Sequence, residues 1–335
     1  MKILFVHKDI TPNESSGGIN TVYLEHIKEL SSIKGIETAV ITGRKEEWNL
    51  EAKCSITKEI DVLNRQKEIT EVINEYDPDI VDCFSWHAEI LDYVNNPHRA
   101  KTVMRADIPM HYYKKFPCID EELACKVDAV VAISKWCMRE WAPLTNKKII
   151  VIPHGGNGKL NKKIKKSPNS VLWVGKETEM KGFDKLFNLG DFFYREYKLT
   201  CVVTKTRFTN EARLKNLKDK GIVVLQNLSR QEYDVVSSSS QFILSTARKE
   251  GFCIAVLEAM QNGAIPIVPS YIGGTLDFVN NKNGIIYNSE SEIYNKLKRI
   301  KNIERKEFFS KKFSDIYRWD LIVKKSLNLY KELLK

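Results

Sequence analysis

The amino-acid sequence predicts an α/β protein made of two doubly wound parallel domains. Three observations lead there. Short apolar, β-rich runs alternate with helix-periodic segments almost to the end of the chain. A Gly-, Lys-, Ser- and Asn-rich stretch at 154–169 interrupts the series once, and 335 residues suffice for two domains of ordinary size. Parallel strands need a crossover of a dozen or more residues, usually a helix, so the alternation itself argues for a parallel sheet in each half.

In the first half the spacing predicts strands at Ile3–Val6, Thr38–Thr42, Ile80–Phe84, Thr102–Met104, Ala129–Ile133 and Ile149–Ile152. Between them Ile69, Val72, Ile73 and Tyr76 keep the i, i+3, i+4, i+7 spacing of a buried helix face, which must stop before Pro78. Ser134 is placed to cap a helix running through Trp136 and Trp141 to Pro143. In the second half, strands are expected at Val171–Val174, Leu199–Thr204, Ile222–Leu225, Phe242–Ser245, Ile265–Val268 and Ile285–Tyr287. Ser229 and Glu232 form a capping box, and Gly263 is placed to end the helix expected to start near Phe252. The last stretch, from about Ser314 to Leu334, reads as one long amphipathic helix with no strand after it. The expected domains are therefore residues 1–153, a linker at 154–169 and a second domain at 170–315.

Composition narrows the function. Hydrophobic residues at 43% and charged residues at 29% exclude disordered, collagen-like and coiled-coil chains. No apolar run reaches the ~20 residues of a membrane span, and MKILFV meets Lys8 and Asp9 too soon for a signal peptide. Seven cysteines without a Cys-x-x-Cys argue against a disulfide framework and a zinc site, so a reducing, cytoplasmic setting and no metal are expected. The net charge of +10 is uneven. Residues 1–150 carry 20 Lys+Arg against 24 Asp+Glu (net −4), residues 151–315 carry 28 against 17 (net +11), and the last twenty add 5 against 2. A positive second domain concentrates anionic ligands such as nucleotides; a Lys-rich surface that only keeps the chain soluble is the other reading.

Several signatures are absent: no P-loop, no G-x-G-x-x-G after the first strand, no H-E-x-x-H and no G-x-S-x-G. Three glycine-bearing turns at strand ends remain, where open α/β sheets bind ligands. Gly17-Gly18 precedes a helix N-terminus and suits close approach to an anion, or a plain surface turn. Gly175, Lys176 and Lys181-Gly182 follow the strand Val171–Val174. Two ammonium groups there would neutralise a departing diphosphate, although a charged surface loop looks the same. The third turn is Glu250-Gly-Phe-Cys-Ile-Ala-Val-Leu-Glu258. With 27 glutamates in the chain, about two pairs eight apart are expected by chance. Three occur, and only this pair brackets a Gly-initiated helix after an apolar strand. Glu250 would meet sugar hydroxyls, the amides of Gly251, Phe252, Cys253, Ile254 and Ala255 a diphosphate, and Glu258 ribose hydroxyls, since carboxylates accept from vicinal diols. The competing reading is one glutamate favoured by the helix dipole and one solvated.

Taken together, Lys176 with Lys181-Gly182, the Glu250–Glu258 pair, Ser270–Asp277 (SYIGGTLD) and Gly17-Gly18 resemble the retaining GT-B glycosyltransferases of family 4, the glycosyl transferases group 1. Ile133-Ser134, Val151–His154 and Trp319-Asp320 to Tyr330 follow in the family's order. The resemblance implies two Rossmann-like domains facing a cleft, the acceptor on the first and the donor on the second, with helix 316–335 returning to the first. It implies transfer of a hexose from a nucleoside diphosphate sugar to an acceptor hydroxyl, with retention and no metal or other cofactor. Lys176 fills the family's usual arginine place and Lys181 its lysine, both on the diphosphate, with Glu250 on the transferred sugar and Glu258 on the ribose. Gly17-Gly18 would approach the phosphates from the other domain. His154 stands where asparagine is common.

The run TVMRADIPMH puts Arg105 and Asp107 where the family commonly has a histidine. Arg105 would hold acceptor or phosphate, or form a salt bridge to Asp107 or elsewhere. Trp86-His87 is a further acceptor-side candidate. A glycan or lipid-linked acceptor is expected, with peripheral contact to an anionic membrane through the lysines of 159–166 or through HYYKKF (111–116) as an open option. The negative balance of the first domain speaks against nucleic acid. A nucleotide-sugar epimerase of the same fold, or a non-catalytic sugar-nucleotide or polyanion-binding module, are the alternatives.

Overall fold

The computed structural model describes residues 1–7, 10, 18–42, 54–59, 66–84, 89–108, 119–187, 189, 196–205, 209–299 and 312–335. They divide into two compact units, Met1–Gly155 with Trp319–Lys335, and Gly156–Arg318. The chain thus passes from one unit to the other at Gly155-Gly156, and residues 156–166 belong to the second.

The first unit is a seven-stranded, all-parallel sheet. Its strands are β1 (Lys2–Val6), β2 (Glu37–Thr42), β3 (Cys54–Glu59), β4 (Ile80–Phe84), β5 (Lys101–Ala106), β6 (Ala129–Ala132) and β7 (Ile149–Val151), in the order β3-β2-β1-β4-β5-β6-β7. The chain winds outward from β1 to β3, then restarts beside β1 at β4, which makes a topological switch between β1 and β4. Strand β3 is absent from the sequence expectation because CSITKE has no apolar run; it pairs along the edge with β2. Helices α1 (Gly18–Ser31), α2 (Gln66–Tyr76), α3 (Leu91–Asn95), α4 (Ile119–Lys126) and α5 (Lys135–Trp141) connect the strands. Ile69, Val72 and Ile73 are the buried face of α2, and the Ser134 side chain caps α5 by accepting from the Cys137 amide. Central strands β1 and β4 are buried along almost their whole length, as expected of a parallel sheet covered on both faces.

The second unit repeats the plan with β8 (Ser167–Gly175), β9 (Lys198–Val203), β10 (Val223–Gln226), β11 (Ser240–Leu244), β12 (Ile265–Pro269) and β13 (Ile285–Tyr287), all parallel, in the order β10-β9-β8-β11-β12-β13. Here the switch lies between β8 and β11. Its helices are α6 (Glu211–Asp219), α7 (Arg230–Ser239), α8 (Ile254–Gln261) and α9 (Glu290–Arg299). The core is apolar and close-packed around Trp173, Phe183, Leu214, Leu244 and Tyr287, with Trp173 and Phe183 edge to face at 5.6 Å. Both halves of the Ser229–Glu232 capping box are formed at the start of α7. Gly263 follows α8 in the left-handed region, φ 83°.

The long terminal helix is a correction. Residues 312–316 are helical, the helix breaks at Tyr317-Arg318, and α10 (Trp319–Leu333) begins anew. The break has two causes visible in the packing. The Tyr317 carbonyl is taken by the Gly156 amide at 2.9 Å instead of continuing a helix. The Tyr317 ring joins Phe252, Phe278 and Phe313, 5.9 to 6.0 Å away. Helix α10 then belongs to the first unit, where it packs on α1.

Candidate functional site

In the second unit the residues singled out from the sequence gather at the carboxyl end of the sheet, on both sides of the switch between β8 and β11. Ligands of open α/β sheets bind beyond the strand ends at such a point, because neighbouring connections leave in opposite directions and open a crevice. Strand β8 ends at Gly175, followed by Lys176 and a tight loop to Gly182. Strand β11 ends at Leu244 and leads to Glu250 and α8.

The two connections are tied together. Trp173 Nε1 donates to Thr246 Oγ1 at 3.0 Å, and Thr246 Oγ1 donates to the carbonyls of Lys181 and Gly182. The Arg248 amide donates to the Met180 carbonyl at 2.9 Å. Gly182 has φ 64°, and a Cβ there would stand 1.9 Å from the Thr246 carbonyl oxygen, so both the backbone conformation and the close approach require glycine. This clamp carries Lys181 to Glu250: Nζ lies 2.5 Å from Oε2, with the side chains 28% and 13% exposed. Glu250 is itself pinned by backbone, its amide donating to the Ile272 carbonyl and its carbonyl accepting from Gly274, in a parallel bridge with Gly273. An ammonium and a carboxylate thus sit side by side, partly open, on rigid supports.

Helix α8 starts at Ile254, two residues later than expected. The delay comes from Cys253, which takes a left-handed conformation (φ 70°, ψ 73°) and makes no side-chain cap bond. The first turn of α8, which follows β11 in the chain, carries the positive end of the helix dipole. Burial pushes the Cys253 thiol up to about 12, with Glu250 adding to it and Lys181 opposing, so it is a neutral thiol. The Phe252 side chain is turned into the core of the second unit, and the expected contact was with its backbone amide. Phe252 is 2% exposed and packs on Phe278 at 5.1 Å, so only its backbone is available to a ligand.

Glu258 is buried and lies in the second turn of α8. Its Oε1 accepts from the Asn157 amide at 3.0 Å and from Arg230 Nη1 at 2.7 Å. Arg230, in the first turn of α7, also holds Asp234 through Nε at 3.2 Å. Burial works against the Arg230 charge, but Glu258 and then Asp234 outweigh it and hold the guanidinium above its ordinary range. Arg230 was not singled out from the sequence. Its partner lies 28 residues away on another helix, and only the Ser229 cap beside it was legible.

In the first unit the placement differs. Gly18 opens α1, while Gly17, Trp86 and His87, and the run 111–116, lie outside the described residues. Arg105 does not reach an acceptor surface. It is 1% exposed and makes a two-pronged pair with Asp82, Nε to Oδ1 at 2.9 Å and Nη2 to Oδ2 at 2.9 Å, and Nη2 also donates to Tyr330 Oη and Ser326 Oγ of α10. Nor does it pair with Asp107, whose backbone carbonyl accepts from Trp141 Nε1. The physical reason is that Asp82 sits on the neighbouring strand under α10, where an unpaired charge would be costly. His154 is buried at 7% exposure in the first unit, with ring centres of Phe84 and Trp319 6.5 and 6.4 Å away. Burial and then Arg105 push it down to about 3, so it is a neutral imidazole. Among the described residues no group of three His, Cys, Asp or Glu side chains is arranged to hold a metal ion, and no helix is long and apolar enough to cross a membrane.

Residues 159–315, which contain every second-unit site residue, match the family described as glycosyl transferases group 1. No curated protein sequence matches the chain. Among solved structures, sucrose-phosphate synthase from Thermosynechococcus elongatus superposes with a TM-score of 0.82 at 15% identity, covering 99% of this chain and 98% of that one. A glycosyltransferase from Rickettsia africae gives 0.72 at 20% identity, covering 100% and 98%. Anabaena HepE, in complex with UDP and glucose, gives 0.74 at 13% identity, covering 99% and 100%. At these identities the likeness is one of fold, and the fold is GT-B.

Proposed function

We propose that the protein is a retaining glycosyltransferase that moves a hexose from a nucleoside diphosphate sugar to an acceptor hydroxyl. The observation that carries this is the Lys181–Glu250 pair held at the switch point beside the start of α8. The match of residues 159–315 to the glycosyl transferases group 1 supports the same reading, and Anabaena HepE, solved with UDP and glucose, supports the ligand class.

In this mechanism Lys176 and Lys181 neutralise the leaving diphosphate as its charge grows, together with the amides that open α8. These groups act most strongly in the transition state, where the bond between the anomeric carbon and the phosphate oxygen is breaking. Glu250 accepts hydrogen bonds from the sugar hydroxyls, and donor binding shares the ammonium of Lys181 between carboxylate and phosphate. Glu258 accepts from the ribose. The acceptor oxygen bonds to the anomeric carbon on the face the diphosphate leaves, and the acceptor proton passes to the departing phosphate oxygen. Ammonium groups and helix amides take the part a divalent cation plays elsewhere, so we propose that no metal is required. Gly17-Gly18, Asp107, Trp86, His87 and the acceptor, glycan or lipid-linked, belong to the first unit in this reading. Arg105 and His154 support that unit from inside.

The test is nucleoside diphosphate release from UDP-, GDP- and ADP-sugars, with and without saccharide acceptors. We expect Lys181→Ala and Glu250→Ala each to lower turnover by about 10²–10³-fold with unchanged thermal unfolding. Wild-type rates in both would sink the proposal. Isomerised donor without acceptor would mark an epimerase instead.

A further inference from the structure

The Glu258 carboxylate is anchored in a lopsided way. Both of its hydrogen bonds, from the Asn157 amide and from Arg230 Nη1, fall on Oε1, and none is made to Oε2. A carboxylate held at one oxygen by two donors from different directions has its plane set, and its second oxygen is left as a free acceptor. The side chain is only 8% exposed, so a ligand would meet that oxygen in a dry setting where hydrogen bonds to a charged group count most.

The two anchors differ in kind. Asn157 contributes a backbone amide in a segment pressed against α8, where a Cβ on Gly158 would stand 2.3 Å from the Glu258 carbonyl oxygen. That anchor is part of the fold. Arg230 is a side-chain anchor. Its position is fixed by the Ser229–Glu232 capping box, and its guanidinium reaches Asp234 through Nε and Glu258 through Nη1 at once. A planar fork can bridge two carboxylates in a fixed geometry, whereas a lysine ammonium, a point charge on a flexible stem, cannot hold both in plane.

We propose that Arg230 is a positioning residue for nucleotide recognition: it fixes the Glu258 carboxylate so that Oε2 is presented to the ribose hydroxyls of a nucleoside diphosphate. This rests on the reading of Glu258 given under the proposed function. Arg230 needs no contact with the ligand itself. Without it, Oε1 keeps only the Asn157 amide, the carboxylate is free to rotate, and Glu258 and Asp234 lose the cation that balances them.

The experiment uses the full chain. UDP, GDP and ADP are titrated calorimetrically, and the tightest binder is compared with its 2′,3′-dideoxy counterpart in wild type, Arg230→Met and Arg230→Lys, each checked by thermal unfolding. For wild type, removing the ribose hydroxyls should weaken binding about tenfold. In Arg230→Met the ordinary nucleotide should bind about tenfold more weakly than in wild type. The dideoxy compound should then bind within about twofold of the ordinary one. Arg230→Lys should recover part of the discrimination. A merely structural role would lower both affinities together and leave their ratio alone. An unchanged ratio in Arg230→Met overturns the proposal; if that variant does not fold, an unchanged ratio in Arg230→Lys does. Wild type that binds a nucleotide but ignores its ribose hydroxyls overturns the role of Glu258 and with it that of Arg230. Wild type that binds none of the three nucleotides overturns the proposed function as well.

Discussion

Each unit carries an ion pair near the carboxyl ends of its central strands, and the two pairs are opposites. Asp82 and Arg105 are 0% and 1% exposed and are closed on every side. Tyr330 donates to Asp82 at 2.6 Å and accepts from Arg105, Ser326 accepts from Arg105, and His26 bonds both Ser326 and the Val22 carbonyl. Burial and Arg105 push His26 well down, so it is neutral, with the proton on Nδ1 facing Val22 and Nε2 accepting from Ser326. Ser326 and Tyr330 of that network tie α10 to the sheet and, through His26, to α1. Lys181 and Glu250 instead keep part of their surface, with the side chains 28% and 13% exposed. Strand-end position alone therefore does not mark a functional charge. Exposure separates them: the sealed pair builds the fold, and the partly exposed pair can be reached by a ligand.

Stability should separate the two pairs most sharply. Replacing Arg105 by Met strands a fully buried carboxylate and should cost about 3–5 kcal/mol in urea unfolding, whereas Lys181→Met should cost no more than about 1 kcal/mol. Adding Asp82→Leu to Arg105→Met should recover much of the loss, since the penalty lies in the unpaired charge. Comparable losses at both sites would break the contrast.

Acid offers the next largest effect, again confined to the sealed side. His154 titrates at about 3 in the folded protein, below the unfolded value of ~6.5. Between those values the unfolded chain binds the proton and the folded one does not, so stability is fully present above ~6.5 and falls as pH drops toward 3. From pH 7 to pH 5 the loss from His154 should be about 2 kcal/mol. His154→Asn should remove that share of the pH dependence, and an unchanged slope would show that the imidazole is not sealed. The smallest effect belongs to the open side. Cys253 is a non-glycine residue at φ 70°, a conformation that strains an L side chain by roughly 1–2 kcal/mol. Cys253→Gly should raise stability by about 1 kcal/mol, and a loss would mean that the thiol contributes more than the strain costs.

Local chemistry made much of the fold legible. Ser134, Ser229 with Glu232, and Gly263 act through neighbours no more than four residues away, and each cap or stop lies where its residue type asks for it. The apolar runs of β4 and β12 needed only their own composition. What escaped were features whose partners are distant in sequence or whose signal is weak. Strand β3 carries no apolar run, and Arg105 took Asp82 rather than Asp107 because α10 buries the pair. The terminal helix broke at Tyr317 because Gly156 and an aromatic cluster claim that residue.

By itself the chain's order of residues determined two parallel α/β halves, the turn at Gly175–Gly182 and the two glutamates either side of the start of α8, because these follow from periodicity and spacing along the backbone. Only tertiary structure decided which charges face each other and which are closed off. Pairing energy depends on burial and on distance in space, and neither is a property of neighbouring positions.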